Sequence, residues 1–417
     1  MLSIDYIREN KQKVVDAAKN KNREVDVDKI LELDEERKSS IHKIQKLREE
    51  RNSKSNQKPD EAAIAKGKTI KDELKKLEAQ LLETEIKLKQ LLLQVPNVPL
   101  DQVPVGKDEK DNKQQRTWGK VPKFSFTPKT HTELGEGLDL LDTVRGSKVS
   151  GYRGYFLKNE LAQLHIAVLM FAYQKLIKAG FTPLIAPALV KSFALEGTAQ
   201  FPWGRAEVYE TNDKDVFLSG TSEVPVTALH SGEILNEKDL PKKYVALSPC
   251  YRKEAGSYGK DTKGLYRVHE FWKIEQVVIS KNDQEEGMKI HAELLKNAEE
   301  ILQDLELPYE VMLMCTGDMG EPQQIKEDIN TWMPSRNSYS ETMSNSLMGD
   351  FQARRLDLKY RTKDNKTQFC YTLNNTCIAS PRILIALLEN HQQEDGSIKI
   401  PKALQPFVGF SEIKTKN

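Results

Sequence analysis

The sequence has few cysteines and almost no net charge, and each shortage excludes a class of protein. Its four cysteines, Cys250, Cys315, Cys370 and Cys377, form no C-x-x-C pair and no zinc-type spacing with histidine. We therefore expect reduced, buried thiols and a cytoplasmic location, because disulfides belong to oxidising compartments. With 63 basic and 62 acidic residues, the net charge is +1, so a nucleic-acid surface would have to be a local basic patch.

Long hydrophobic runs are also missing. No apolar stretch approaches the roughly 20 residues that a membrane helix requires, and Asp5, Arg8 and Glu9 occupy the place of an apolar signal region. We expect no membrane partner. Charged residues make up 30% of the chain against 38% hydrophobic residues, and this excess of charge indicates a long, solvated helical segment.

That segment lies between about residues 25 and 93, which are rich in Lys, Glu, Leu and Ile. Its second half has a heptad seam, formed by Ile70, Leu74, Leu77, Leu81, Thr84, Leu88 and Leu91. A weaker seam precedes it, formed by Ile30, Leu33, Arg37, Ser40, Ile44 and Leu47. Turn-forming residues from Asn52 to Gly67 separate the seams, which predicts two long antiparallel helices. Such an arm suits either an oligomerisation coiled coil or a binding arm, and its own sequence leaves both open.

Prolines mark the end of the arm and divide the chain. Pro96, Pro99 and Pro104 predict an extended linker, followed by a charged, flexible stretch over 107–116. From about Lys120, strand-like runs (244–247, 274–279) are mixed with amphipathic helices (157–179, 284–305, 381–390), without regular βαβ order. We therefore expect an N-terminal domain over 1–100, a linker over 101–119, and an α+β domain with an antiparallel sheet over 120–417.

The first segment with chemical content spans 249–275. Strand-forming residues flank a loop rich in glycine and charge, which predicts a long hairpin. Arg252 and Glu254 share strand parity, and a cation fixed at a strand end can hold a phosphate or carboxylate bidentately. Phe271 suits stacking on a purine, and Glu275 continues the same face. Arg252 and Glu254 alone would equally suit a surface cross-strand pair, but the whole block favours a site.

A second segment, 332–355, carries oxygen ligands. Glu341 and Ser344 lie three residues apart, and their oxygen atoms suit Mg²⁺ held near phosphates. Taken singly, the two residues would equally suit a solvated strand edge.

A third segment, 371–390, is predicted to be a strand, a turn and a helix. Ser380 suits the N-cap and Pro381 the first helical position. Arg382 in the first turn opposes the helix dipole, which favours a bound anion over the alternative of a surface arginine.

In this order the segments resemble the signature motifs of class II aminoacyl-tRNA synthetases, in the form found in seryl-tRNA synthetases. The segment 180–187 (Gly-Phe-Thr-Pro through Pro187) resembles the first motif, the hairpin around Arg252 the second, and the helix start at Arg382 the third. The narrower seryl signatures are 221–223, 332–336 and 350–355. The resemblance extends to the N-terminal arm and to residues 400–404, and so covers essentially the whole chain.

The resemblance implies a class II catalytic domain that activates L-serine with ATP and Mg²⁺ and transfers serine to tRNA-Ser, and to tRNA-Sec where it exists. It implies a homodimer with the first motif in the interface, and an arm that grips the long extra arm of tRNA-Ser through phosphate contacts.

The resemblance also implies a role for each matching residue. The catalytic residues are Arg252 (α-phosphate and serine carboxylate), Arg382 (γ-phosphate) and Glu275. The implied ATP-binding residues are Arg252, Lys253, Glu254, Arg267, Val268, His269, Glu270, Phe271, Glu341, Thr342, Met343, Ser344 and Arg382. The implied serine-binding residues are Thr221, Ser222, Glu223, Arg252, Glu275, Asn374 and Thr376. Among them, Thr221 and Glu275 are implied to receive the serine amino group, with Glu275 also near the hydroxyl. The implied Mg²⁺ ligands, together with ATP, are Glu341 and Ser344.

The sequence departs from the family pattern after Glu341, where Ile/Val-Ser-Ser-Cys-Ser-Asn is usual. Met343 stands in place of the first serine and Leu347 in place of the asparagine, while Ser344 is retained. The segments 221–223 and 374–376 are nearer to the archaeal and eukaryotic pattern than to the bacterial one.

Two other functions compete with this interpretation. A carrier-protein aminoacyl ligase would lack the helical arm, which this chain has. A non-enzymatic adaptor built on a degenerate synthetase would lose Arg252, Glu275 or Arg382, and all three are present.

Overall fold

The structure is a computed structural model that describes residues 1–53, 61–257 and 264–414. The chain divides into two compact units, Met1–Val98 and Pro99–Asn417. In the part of the chain that the structure describes, no helix combines the length and the apolar character needed to cross a membrane.

The first unit is helical and contains the predicted hairpin. Its helices are α1 (Ile4–Glu9), α2 (Lys11–Asn20), α3 (Val27–Ser53) and α4 (Glu61–Leu93). Ile44 of α3 packs with Ile70 and Leu74 of α4, as the two seams predict. At 1.5 Å per residue, α4 is about 50 Å long. The helix pair is therefore confirmed.

Helix α4 begins earlier than predicted, inside the segment expected to form the turn. Residues 54–60 lie outside the described ranges, but α4 already begins at Glu61, so Gly67 is helical and not a breaker. One glycine inside a helix costs only about 1 kcal/mol relative to alanine, and the leucine-rich seam that follows offsets it.

The short helix α1 is attached to α3 by a buried charge. Asp34 of α3 is fully buried and accepts hydrogen bonds from Arg8 of α1 (2.6 Å) and Arg37 (2.7 Å), with Lys38 at 3.0 Å. Burial would raise the pKa of Asp34, but these three cations outweigh it and lower the pKa to about 2. The ionised carboxylate thus links α1 to α3.

The second unit mixes helices and strands. Its helices are α5 (His131–Gly137), α6 (Thr143–Ser150), α7 (Asn159–Lys178), α8 (Ser192–Gly197), α9 (Glu223–Thr227), α10 (Gln284–Asp304), α11 (Phe351–Leu356), α12 (Arg382–Asn390) and α13 (Gln405–Val408). Its first strands are β1 (Lys113–Trp118), β2 (Leu141–Asp142), β3 (Phe156–Leu157), β4 (Thr182–Ile185), β5 (Leu189–Val190), β6 (Tyr209–Glu210), β7 (Phe217–Leu218), β8 (Ile234–Asn236) and β9 (Lys242–Tyr251). The later strands are β10 (Glu270–Ser280), β11 (Tyr309–Leu313), β12 (Ile325–Met333), β13 (Ser338–Gly349), β14 (Lys359–Arg361), β15 (Thr367–Phe369), β16 (Tyr371–Ser380), β17 (Ile398–Lys399) and β18 (Glu412–Ile413).

The main sheet has eight described strands in the order β1-β11-β12-β13-β16-β10-β9-β4. All neighbours are antiparallel except β4, which runs parallel to β9 at one edge. Apolar side chains of α7, α10 and α12, such as Leu164, Leu294 and Leu384, form one buried core with the sheet. The expected α+β class with an antiparallel sheet is confirmed.

Two local expectations need correction. The stretch expected to be a linker contains the edge strand β1, which pairs with β11 and stacks Trp118 on Tyr309. At the third motif, β16 continues to Ser380 and α12 begins at Arg382, so Ser380 is not the N-cap. Its hydroxyl instead lies 2.7 Å from Nδ1 of His165, because the strand carries it into the core.

That core histidine makes stability depend on pH. Burial lowers the pKa of His165 to about 4 from an ordinary 6.5. Between pH 6.5 and 4 the unfolded chain therefore binds more protons, so the stability due to neutral His165 is present above pH 6.5 and is lost as the pH falls through 4. The difference corresponds to about 3 kcal/mol over that window.

We expect His165→Gln to unfold with a shallower loss of free energy between pH 7 and 4.5 than the parent chain, measured by urea unfolding. His42→Gln, which changes an exposed histidine of α3, serves as the control and should follow the parent. If His165→Gln and the parent have the same pH dependence, His165 does not titrate as described.

Candidate active site

An open cleft lies over strands β10, β13 and β16, the loop beyond β9 and the start of α12. Its lining residues are Arg252, Glu254, Leu265, Tyr266, Arg267, Val268, Phe271, Lys273, Glu341, Thr342, Met343, Ser344, Thr376, Ala379, Ser380, Pro381 and Arg382. Residues from all three predicted segments therefore meet in one place, although they are up to 130 positions apart in the sequence.

Arg252 is one of the cations that line this cleft. Strand β9 ends at Tyr251, so Arg252 and Glu254 lie in the loop beyond it and not on the strand as predicted; Glu254 has a φ of +53°. The guanidinium of Arg252 donates to the carbonyl of Gly220 (3.2 Å) and lies 5.3 Å from the centre of the Phe271 ring. Glu254 accepts a hydrogen bond from Arg267 (3.1 Å). The loop is thus held by both charge and ring contacts.

Arg382 also lines the cleft and is held by three contacts. Its Nε donates to the carbonyl of Tyr266 (3.2 Å), its Nη1 donates to the carbonyl of Glu341 (3.0 Å), and its guanidinium lies 4.5 Å from the centre of the Tyr266 ring. The Glu341 carboxylate is 3.9 Å from Nη1. A cation fixed in this way is preorganised to receive an anion.

A β-bulge explains how Glu341 and Ser344 share a face despite a spacing of three. Asn330 pairs with Glu341 but Ile329 pairs with Met343, so Thr342 is an extra residue in β13. The burial pattern follows: Glu341 and Ser344 are accessible, whereas Thr342 and Met343 are buried. Without the bulge, strand alternation would turn one of the two oxygen ligands away.

Beneath these oxygen atoms lies a buried carboxylate. Asp328, opposite Ser344, pairs with Lys326 (2.8 Å), and its Oδ1 is buried without a hydrogen-bond partner among the described residues. Burial raises the pKa of Asp328, although Lys326 opposes the shift. Desolvation would likewise raise the pKa of Glu341, but Lys326, Arg382 and Arg252 outweigh it and lower the pKa. This oxygen-rich set fits a hard cation such as Mg²⁺.

The departures from the family pattern are accommodated in the core. Leu347 is fully buried in the main core, and Met343 packs there while also reaching the cleft wall. The hydroxyl of Thr342 is directed into the sheet, 2.6 Å from that of Thr331. These three side chains serve packing, and Glu341 and Ser344 carry the polar atoms of the strand.

Around Lys273 and Thr376 the wall of the cleft forms a small polar pocket. Glu275 on β10 is directly opposite Thr376 on β16, whose hydroxyl donates to Oε2 of Glu275 (3.0 Å). Lys273, two residues earlier on the same face of β10, donates to Oε2 of Glu275 (2.6 Å) and to the hydroxyl of Thr221 (2.9 Å). Three residues predicted to bind serine are thus joined by a lysine that sequence reasoning missed.

The other predicted serine residues lie deeper. Glu223 is buried and accepts from Gln352 (2.8 Å); burial raises its pKa to about 7. Ser222 and Asn374 are buried, and the Ser222 hydroxyl and the Asn374 amide nitrogen lack hydrogen-bond partners among residues 1–53, 61–257 and 264–414. Asn374 shares a strand face with Thr376, so these groups form a polar wall behind the pocket.

Three residues expected to bind ATP lie outside the cleft. His269 and Glu270 line a separate depression with several tyrosines, and His269 contacts the carbonyl of Arg252 (3.0 Å). Lys253 has its ammonium 5.7 Å from the centre of the Tyr209 ring. Val268 and Phe271, by contrast, do line the cleft.

Sequence reasoning also missed two residues that hold the hairpin loop. Glu207 accepts backbone N–H groups of Ala255 (3.2 Å) and Gly256 (3.0 Å) where the loop begins. His131 accepts the N–H of Leu265 (3.2 Å) where the loop returns. Gly264 beside it has a φ of +78°, and a Cβ there would lie 2.1 Å from the His131 ring. Residues 258–263 of the predicted loop lie outside the described ranges.

Of these three missed residues, only Lys273 could have been found from a pattern in the sequence. It precedes Glu275 by two positions inside an apolar run, which places two opposite charges on one face of a buried strand. Glu207 and His131 are distant in sequence from the loop, and no local pattern connects them to it.

Comparison with known proteins agrees with this geometry. Residues 1–99 match the seryl-tRNA synthetase N-terminal domain, and residues 206–391 match the class II tRNA synthetase core domain (G, H, P, S and T). The chain is 46% identical to the serine–tRNA ligase of Deinococcus radiodurans over 419 residues, covering 99% of each chain.

Solved structures are similar over the full length. The seryl-tRNA synthetase of Pyrococcus horikoshii complexed with ATP has a TM-score of 0.92 and 40% identity, covering 100% of both chains. The cytoplasmic serine–tRNA ligase of Naegleria fowleri in complex with AMP has a TM-score of 0.89 and 31% identity, covering 100% of this chain and 99% of that one. With both units matched and identity of this order, the chain belongs to the seryl-tRNA synthetases, the serine–tRNA ligases of class II.

Proposed function

We propose that the protein activates L-serine with ATP to seryl-adenylate and then transfers serine to tRNA-Ser. The observation that carries this proposal is the convergence of Arg252, Arg382 and the Glu275–Thr376 pocket on one cleft. Two fixed cations suit a polyphosphate, and a small polar pocket in the same cleft suits an amino acid.

In the first step the serine carboxylate attacks the α-phosphorus in line, and pyrophosphate leaves. The carboxylate is already ionised, so no general base is required. Arg252 stabilises charge on the α-phosphate and orients the carboxylate, while Arg382 holds the γ-phosphate. Phe271 provides a ring for the adenine, and Glu254 and Arg267 border the nucleotide.

Glu341 and Ser344 would hold Mg²⁺ together with ATP, and Asp328 lies opposite Ser344 on the neighbouring strand. When bound, Mg²⁺ neutralises charge on the phosphates of ATP. The half-exposed Glu341 side chain faces the cleft, where its carboxylate lies 3.9 Å from Arg382. Glu341 therefore offsets part of the positive charge of Arg382. Mg²⁺ that is held mainly by the phosphates of ATP needs only one or two carboxylate ligands from the protein.

The amino-acid pocket supports serine as substrate. Glu275 offers an anion to the α-ammonium group, and Thr376 offers its hydroxyl to the serine side chain. The resemblance implies that Thr221 also receives the amino group, but its oxygen already accepts from Lys273 and from the N–H of Glu223. We therefore assign Thr221 to the serine hydroxyl, as a donor. A pocket built to hydrogen-bond a hydroxyl rejects alanine, because its own polar groups would stay unpaired.

In the second step the 3′-hydroxyl of the terminal adenosine of tRNA-Ser attacks the carbonyl carbon of the adenylate, and AMP leaves. We assign tRNA-Ser binding to the α3–α4 arm. Lysines and arginines on its exposed faces, such as Lys43, Lys46 and Lys75, would neutralise phosphates and read shape rather than sequence.

A homodimer completes the proposal. Half of the large apolar side chains exposed in the described ranges lie between residues 144 and 193, among them Ile166 of α7 and Ile185 of β4, which is 72% exposed. Strand β4 is also an unpaired sheet edge within the described chain, and such edges and patches mark association surfaces. A cytoplasmic location is proposed by analogy with the Naegleria fowleri relative.

The activation step predicts serine-dependent exchange of pyrophosphate into ATP. Exchange with serine should exceed that with alanine, threonine or glycine by about a hundredfold or more, since those side chains lack the hydroxyl or add a methyl group. Equal exchange with alanine or glycine would contradict the seryl assignment.

We expect Arg382→Ala to lower kcat/KM for exchange about a hundredfold or more, equivalent to about 3 kcal/mol, because it removes a fixed cation from the γ-phosphate. Arg361→Ala is the matched control: Arg361 is an exposed arginine on β14, bonded to Asn365, and its loss should leave exchange unchanged. Near-normal exchange by Arg382→Ala would show that its role is misassigned.

The arm and dimer proposals can be separated by replacing residues 28–91 with a short Gly/Ser linker. If the arm binds tRNA and the 144–193 surface forms the dimer, the variant should sediment as a dimer and retain serine-dependent exchange. Charging of tRNA-Ser should collapse, because the phosphate contacts are lost. A monomeric variant without exchange would instead identify the arm as the dimerisation element.

A further inference from the structure

Lys273 is the buried cation at the centre of the amino-acid pocket. Its side chain is 5% exposed, and its ammonium group donates to Oε2 of Glu275 (2.6 Å), to the hydroxyl of Thr221 (2.9 Å) and to the hydroxyl of Thr376 (3.3 Å). A lysine ammonium has three N–H donors and no acceptor. All three donors are therefore used, and each is directed at a residue proposed to bind serine.

These bonds decide which way the two threonine hydroxyls point. A hydroxyl has two lone pairs and one hydrogen. The Thr221 oxygen accepts from Lys273 and also from the backbone N–H of Glu223 (3.2 Å), so both lone pairs are occupied. What Thr221 can still offer a ligand is its O–H, as a donor.

The Thr376 hydroxyl has the opposite hydrogen-bonding role toward a ligand. Its oxygen accepts from Lys273, and its own hydrogen is donated to Oε2 of Glu275 (3.0 Å). One lone pair remains, so Thr376 can offer a ligand only an acceptor. Without the ammonium group, either hydroxyl could rotate and exchange its role.

Glu275 completes the set. Both bonds to its carboxylate, from Lys273 and from Thr376, fall on Oε2. Within residues 1–53, 61–257 and 264–414, Oε1 makes no hydrogen bond, and so it can accept from a cationic ligand. The pocket therefore presents one anionic acceptor, one neutral acceptor and one donor, all arranged around a single nitrogen atom.

We propose that Lys273 is a specificity-determining positioning residue, which orients Thr221 and Thr376 so that the pocket recognises a side-chain hydroxyl both as donor and as acceptor. The inference rests on the proposed serine activation and deepens it. A β-hydroxy α-amino acid satisfies all three groups: its ammonium meets Oε1 of Glu275, and its hydroxyl donates to Thr376 and accepts from Thr221. Alanine and glycine satisfy only the first, and leave a buried donor and acceptor unpaired.

The test is pyrophosphate exchange by the full-length protein with Lys273→Met, which keeps the length of the side chain and removes its donors. We expect kcat/KM for serine to fall at least about tenfold, while the low value for alanine and the KM for ATP change less than about twofold. The ratio of serine to alanine is the decisive readout, because a general structural defect would lower both amino acids together.

Lys243→Met is the matched control. Lys243 lies on the neighbouring strand β9 and is paired with Glu293 (2.6 Å), away from the pocket. Its loss should leave the serine-to-alanine ratio unchanged. An unchanged ratio in Lys273→Met, or equal losses for both amino acids, would overturn the proposal.

Thr376→Val provides a second measurement if Lys273→Met does not fold, because it removes the acceptor and leaves Lys273 in place. We expect the serine-to-alanine ratio to fall at least about tenfold here too, and an unchanged ratio overturns the proposal. Failure of the proposed function is seen separately, in the unaltered protein: without any serine-dependent exchange, both the function and this inference are wrong.

Discussion

Lys273 and Glu275 lie side by side on β10, with their charges withdrawn from water in the middle of an eight-stranded sheet. Removing two such charges from water costs several kcal/mol per ion, and attraction between them repays it only when the remaining hydrogen-bonding groups are satisfied. Here Thr221 and Thr376 supply those bonds. The pair therefore adds little to the stability of the fold. It does fix the positions of both side chains, because neither charge can move without leaving the other unpaired.

The nucleotide end of the cleft has a different balance of charge from the Lys273–Glu275 pair. Arg252, Arg267 and Arg382 are gathered there, and their mutual repulsion is only partly offset by Glu254 and Glu341. Carbonyl groups of Gly220 and Tyr266 hold two of the guanidiniums in place. A cleft with an excess of fixed cations favours a polyanion, and little reorganisation is required when it binds.

Both ends depend on irregular strand pairing. The extra residue in β13 brings Glu341 and Ser344 to one face, and a second bulge, between Ile274 and Glu275 on β10, places Thr376 opposite Glu275 with Cys377 as the extra residue of β16. A bulge changes the face of the sheet on which the following side chains lie, and it interrupts the backbone hydrogen bonding between the strands at one position. In a regular sheet the same residues would be divided between the cleft and the core.

The sequence by itself determined the features that repeat locally or that resemble a known family. The heptad seam predicted the α3–α4 pair, because coiled-coil packing depends only on spacing along each helix. The mixture of strand and helix patterns predicted the α+β class, and the ordered motifs around Arg252 and Arg382 predicted that both belong to one site.

Tertiary structure alone decided which side chains of those motifs share a surface. His269 and Glu270 belong to the predicted hairpin yet face another depression, and β1 emerges from a stretch with the composition of a linker. Glu207, His131 and Asp328 acquire their positions from partners that are distant in sequence. Register between strands arises from long-range packing, and a shift of one residue reverses the face of every side chain, so local patterns could not have placed them.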